Sequence, residues 1–227
     1  MTLFNWIFAG LAAINFGLLI LSMIKKNKVM EKICTILFFP LTLVHPPYML
    51  LSSLPDSKHT IIYTILSLSL ITASFALLVL SQNKKMTYIA YIPFFAGLLI
   101  WEEYYSKVFY IYRPEQWIML LLYIGYLLIL IAALFFSGKK SIKETIFQGI
   151  FIFLLEVLNL MSFIYLIYSP DRRSLLLFTG SFLNLLIIIF HFIDEAKLKI
   201  KHGMQLRMLL LTASQFLIAY SNVLLFV

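Results

Sequence analysis

MTLFNWIFAGLAAINFGLLILSMIKKNK, residues 1–28, sets one unbroken apolar run against a basic close. A membrane-spanning helix needs about 20 apolar residues, and this run supplies them. No basic segment precedes it and the run is long, so it reads as a first spanning helix and not as a cleaved signal peptide.

The pattern repeats along the chain. Hydrophobic residues make up 62% of the sequence and charged residues 12%, against about 25% charged in an ordinary soluble domain. A soluble core cannot absorb that much apolar surface, so the surplus must face lipid. The expected fold is all-α, a polytopic transmembrane helix bundle forming a single domain over residues 1–227. Eight segments qualify as spans: about 3–24, 33–54, 60–81, 86–104, 116–137, 144–169, 173–193 and 205–227. The longest connection, EEYYSKVFYIYRPEQ (102–116), is rich in Tyr and Phe, which favour the headgroup level.

Charge sets the expected orientation. Of the 18 Lys and Arg residues, 13 follow the odd-numbered spans: Lys25, Lys26, Lys28 and Lys32; Lys84 and Lys85; Lys139, Lys140 and Lys143; and Lys197, Lys199, Lys201 and Arg207. The positive-inside rule then puts these loops in the cytoplasm and both termini outside, in a plasma membrane such as the bacterial inner membrane. The net charge of +8 is spread over short loops rather than gathered on one face, which argues against nucleic acid as a partner. Cys34, the single cysteine, cannot form an internal disulfide.

Polar groups near span midpoints carry the functional reading, because a lipid-facing position there is costly for them. Asn15 lies in the first span, His45 (followed by Pro46 and Pro47) in the second, and Ser67 and Ser74 in the third. Glu156 and Asn159 lie in the sixth, Asn184 in the seventh and Gln215 in the eighth. At about 100° per residue, Gln148, Gly149, Glu156, Asn159 and Ser162 share roughly 140° of the sixth helix. Gly180, Asn184, His191 and Glu195 share roughly 60° of the seventh, and Thr212, Gln215, Ala219 and Asn222 roughly 80° of the eighth. Three consecutive polar stripes are best satisfied by facing one another. The pattern predicts an enclosed polar site near mid-depth between these three helices, with His45 and Asn15 as contributors.

Ser67, Ser74, Thr212 and Asn222 fit a plainer role as interhelical hydrogen bonds, each worth about 0.6 kcal/mol. His45 equally fits the satisfaction of carbonyls freed by its two prolines. Glu156 differs, since no Lys or Arg lies at mid-membrane to pair with it. Its protonated form is favoured in that setting, and an intramembrane acid marks function by default. The run HFIDE (191–195) has metal-ligand residue types, yet it reads as a solvated helix end whose acids balance Lys197 and Lys199. No metal or cofactor is expected.

LLLTASQFLIAYS (209–221) resembles the closing helix of the YhhN-type lysoplasmalogenase family, eight-span membrane proteins of similar length, with Gln215 as the match. FTGSFLNLL (178–186) is similar to that family's seventh helix through Gly180. LSLSLITASFALLVL (66–80) and FFPLTLV (38–44) resemble its third-helix and Lys-Pro-Leu motifs. Phe39 stands at the motif's Lys, Phe75 at the third-helix Asp, and Ile187 and Ile188 at a Ser-Asp pair. The resemblance implies hydrolysis of the vinyl ether bond of a lysophospholipid, releasing an aldehyde and a glycerophospho-alcohol. That reaction needs a proton delivered to carbon and a positioned water. Glu156 suits the acid, with Asn184, Gln215, His45, Asn159 and Asn15 to position water or lipid oxygens. Two alternatives stay open: a catalytically degenerate relative that binds a lipid, and a small proton-coupled carrier protonated at Glu156.

Overall fold

A computed structural model describes residues 3–53, 58–80, 84–112, 123–125, 127–128, 131, 142–195 and 203–224. Every element among them is a helix: α1 (Leu3–Ile24), α2 (Lys28–Leu43), α3 (His45–Ser53), α4 (Lys58–Leu80), α5 (Lys84–Tyr112), α6 (Ile142–Tyr168), α7 (Arg172–Glu195) and α8 (Gly203–Val223). Three stretches, Trp6–Ile24, Lys28–Leu50 and Lys58–Leu80, are long and apolar enough to cross a membrane. The fifth expected span, 116–137, lies outside the described residues apart from a few helical positions between Tyr123 and Ile131. The chain divides into two compact units, residues 1–100 and 101–224, with the boundary inside α5.

In the first unit, α1 stops at a corner the sequence encodes within three residues. Lys26 adopts a left-handed backbone with φ 54°. Its N–H donates to the Met23 carbonyl at 3.3 Å, and the N–H of Asn27 donates to that of Ser22 at 2.9 Å. This is the paired C-terminal cap in which a left-handed residue lets the chain satisfy the last carbonyls. Asn27 then serves the next helix, its side chain accepting from the Met30 N–H at 3.1 Å. Around α1 the apolar side chains Trp6, Ile14 and Ile24 remain exposed at 64%, 63% and 72%, as suits a lipid-facing helix.

The second expected span is not one continuous helix. Pro40, Pro46 and Pro47 have no N–H to give, and α2 and α3 part at Val44. Backbone bonds bridge the break, with Val44 N–H donating to the Pro40 carbonyl at 3.0 Å and Tyr48 N–H to that of Val44 at 3.2 Å. Helix α2 packs on α4 through Phe39 and Phe75, whose rings stack with centroids 5.3 Å apart. Helix α4 meets α5 at Gly97, where an added Cβ would come 2.6 Å from Ile71 Cγ1 and 3.0 Å from the Ser67 carbonyl oxygen. The Ser67 hydroxyl donates to the Gly97 carbonyl across this approach at 2.7 Å.

Helix α5 also departs from expectation, running to Tyr112 through most of the aromatic stretch read as a connection. Nothing between Trp101 and Tyr112 breaks a helix, and Pro114 lies two residues beyond its end.

The second unit holds the last part of α5 with α6, α7 and α8. Pro170 follows α6, and Asp171 caps α7: its carboxylate accepts from the Ser174 N–H at 2.7 Å, while its own N–H donates to Ser174 Oγ at 3.0 Å. Reciprocal bonds of this kind satisfy two otherwise orphaned donors. Contacts Asn159–Ser181 and Tyr165–Arg173 run in opposite order along α6 and α7, so the two helices are antiparallel. Contacts Trp101–Gln215 and Tyr105–Asn222 run in the same order, so α5 and α8 are parallel there. Between α7 and α8 the backbones nearly touch. A Cβ on Gly180 would lie 2.9 Å from the Ser214 carbonyl oxygen and 3.0 Å from the Ile218 nitrogen. Only glycine allows that approach.

A candidate polar seam in the second unit

The register set by Gly180 and the α6–α7 pairs sorts the buried polar side chains into layers. In the central layer Asn159 donates from Nδ2 to Ser181 Oγ at 3.0 Å, and Ser162 Oγ meets the same hydroxyl. At a similar level on α8, the Gln215 side-chain oxygen accepts from Trp101 Nε1 at 3.1 Å. Toward the N-terminal end of α7, the Tyr105 hydroxyl lies 3.0 Å from Asn222 Oδ1, 3.1 Å from Ser221 Oγ and 3.2 Å from the Ile218 carbonyl oxygen. Arg173 lies on the same side, its Nη1 donating to the Tyr165 hydroxyl at 3.0 Å.

Glu156 and Asn184 form the opposite layer. Glu156 precedes Asn159 by three residues and Asn184 follows Ser181 by three. On antiparallel helices both offsets run the same way, by about 4.5 Å at 1.5 Å per residue. The acid and the amide therefore share one depth, a turn beyond the Asn159–Ser181 bond. Both are buried, and among the described residues Glu156 Oε1 and both amide atoms of Asn184 have no hydrogen-bond partner. Gln215 Nε2 and Ser214 Oγ are unpartnered as well. Buried polar atoms are bonded in the great majority of cases, and an unmet one costs about 1–3 kcal/mol. Four such side chains on three adjacent helices amount to stored hydrogen-bonding capacity. Chemically the set combines a carboxyl with amide and hydroxyl groups able both to donate and to accept.

The other predicted residues lie in the first unit, bond elsewhere or have side chains outside the described set. Asn15 belongs to the first unit, where its amide donates to the Cys34 carbonyl at 2.8 Å and ties α1 to α2. His45 opens α3, with its side chain outside the described set. So are the side chains of Gln148, Ile188, His191, Asp194 and Glu195. Ser67 and Asn222 do bond across helices. Thr212 instead bonds back to the Met208 carbonyl of its own helix at 2.8 Å, a local partner within easy reach of a threonine hydroxyl. Ser74 Oγ has no partner among the described residues.

Sequence reasoning passed over Trp101, Tyr105, Ser181, Ser214 and Arg173. The aromatics lay in or beside a stretch whose composition marks a membrane surface, and Arg173 lay beside a turn. Periodicity gives no sign of the cross-helix register that buries them. Compared with protein-family models, curated proteins and solved structures, the chain matches none.

Proposed function

We propose that this chain is an integral membrane protein of eight spans, with cytoplasmic basic loops and external termini, that hydrolyses a vinyl ether bond in a lysoplasmalogen-type lipid. One observation carries the reading: Glu156 and Asn184 are buried at one depth without partners among the described residues. The resemblance of residues 178–186 and 209–221 to lysoplasmalogenase helices supplies the reaction class.

In this mechanism Glu156 delivers a proton to the outer vinyl carbon, leaving an oxocarbenium ion at the ether carbon. A water held by Asn184 and Gln215 adds there and returns a proton to the carboxylate. The hemiacetal then collapses to an aldehyde and a free glycerophospho-alcohol. General acid–base catalysis of this kind contributes about 10²–10⁴-fold. Glu156→Gln keeps shape and removes the acid, so aldehyde release by purified protein is expected to fall about 100-fold or more. Unchanged turnover would remove Glu156 from the mechanism.

A second reading has an observation of its own. Phe39 and Phe75 occupy the positions at which the resembled family carries Lys and Asp, and they stack on each other, both buried. An aromatic pair fills that place with apolar volume, which favours a relative that binds a lipid without cleaving it. Lipid co-purifying with wild-type protein that turns over neither lysoplasmalogen nor lysophospholipid would select this reading.

A further inference from the structure

Arg173 is the second residue of α7 and only 9% exposed. One of its nitrogens, Nη1, is committed to the Tyr165 hydroxyl, and the guanidinium carbon lies 5.2 Å from the centre of the Tyr165 ring. The other two nitrogens, Nε and Nη2, are buried with no partner among the described residues. These two lie on one edge of the planar guanidinium, and together they form the parallel fork that engages two oxygens of one oxyanion. The nearest acid in sequence, Asp171, is occupied in capping α7 through the Ser174 N–H.

A buried guanidinium is costly unless paired. A carboxylate partner would have made Arg173 a structural ion pair, and no described residue provides one. The fork is oriented by Tyr165, shielded from water and placed at a helix end. In a membrane protein, helix ends lie near the headgroup phosphates.

The geometry points to a phosphate-binding site at Arg173, with Nε and Nη2 as a bidentate fork and Tyr165 as its brace. The site is separate from the Glu156 seam, since Arg173 and Asn184 stand eleven residues, or about 16 Å, apart along α7. It therefore does not depend on hydrolysis. The phosphate comes from a phospholipid headgroup or from a free phosphate species, and the same fork would hold either.

The test uses full-length protein, delipidated in detergent. Phosphatidylglycerol, diacylglycerol with the same tails, and inorganic phosphate are offered separately, with binding read by native mass spectrometry and melting temperature. Wild type should retain phosphatidylglycerol over diacylglycerol. Arg173→Gln should weaken that retention at least tenfold, while Arg172→Gln, an equal charge change at an exposed neighbour, should leave it intact. Arg173→Lys, which keeps the charge but not the fork, should lie near Arg173→Gln. Stabilisation by inorganic phosphate over chloride at equal ionic strength assigns the site to free phosphate, and stabilisation by phosphatidylglycerol alone assigns it to lipid. Equal retention in wild type and Arg173→Gln overturns the proposal. If the Arg173 variants do not fold, a wild-type melting temperature that responds to neither ligand overturns it on its own.

Discussion

In the first unit the Asn15 amide goes to the Cys34 carbonyl and the Ser67 hydroxyl to that of Gly97, while Thr35, Thr42 and Thr72 bond back to carbonyls of their own helices. In the second unit Asn159 meets Ser181, Trp101 meets Gln215, Tyr105 meets Asn222 and Arg173 meets Tyr165. There, beside similar back-bonds from Ser162, Thr179, Thr212 and Ser221, side chains also bond to side chains across helices, and Glu156, Asn184, Ser214 and Arg173 still have atoms without a partner among the described residues. Cross-helix bonds to backbone, as from Asn15 and Ser67, fasten helices together. Polar groups bonded to one another, with capacity left over, are what a binding site requires. Ser74 is the first unit's exception. The unmet hydrogen-bonding capacity among the described residues is concentrated in residues 101–224.

The sharpest challenge lies at the two helix–helix approaches. Gly180→Leu must push α7 away from the α8 backbone, and overpacking of that kind costs about 3 kcal/mol or more. Loss of folded protein in mixed-micelle unfolding is expected. Gly97→Ala should cost less, because it adds one carbon rather than the four of a leucine side chain, although Ile71 Cγ1 and the Ser67 carbonyl oxygen are both close. Gly10→Ala and Gly17→Ala, with nothing near the added atom, should be silent.

Trp101→Phe removes the donor held by Gln215 and leaves that amide unpartnered among the described residues, for a loss of about 1–2 kcal/mol by the same measurement. The comparison itself is tested by a pair of leucines. Glu156→Leu deletes an unpartnered carboxyl and should raise stability by about 1 kcal/mol, whereas Asn15→Leu breaks a bond and should lower it by about 0.6 kcal/mol. Changes of the same sign would erase the proposed difference between the units. Lys26→Gly relieves a left-handed residue and should stabilise by a few tenths of a kcal/mol, up to about 1 kcal/mol.

Much of the fold is legible in the sequence because span length and apolar composition are local properties. The same holds for the burial of Glu156, Asn159, Asn184 and Gln215, which helical periodicity placed on inward-facing stripes. Partners are another matter. Whether Asn159 meets Ser181 or some other hydroxyl depends on the register between helices, and that register follows from a close approach at Gly180 that no single helix encodes. Trp101, Tyr105 and Arg173 were obscured for a related reason. Amphipathic residues at a span end read equally well as a membrane-surface belt or as a buried network, and only the neighbouring helix decides between them. The break at Val44 could be foreseen from Pro46 and Pro47, but the extension of α5 to Tyr112 could not, since aromatic composition says little about where a helix stops.

Cys34 is the chain's single thiol, and it is buried, with its backbone carbonyl held by Asn15. The protein therefore comes with a chemically quiet background for labelling. A cysteine placed at exposed Lys25 or exposed Asp171 reports alone to a membrane-impermeant maleimide on intact cells. With basic loops in the cytoplasm, Asp171→Cys should label and Lys25→Cys should not. The opposite pattern would invert the protein in its membrane.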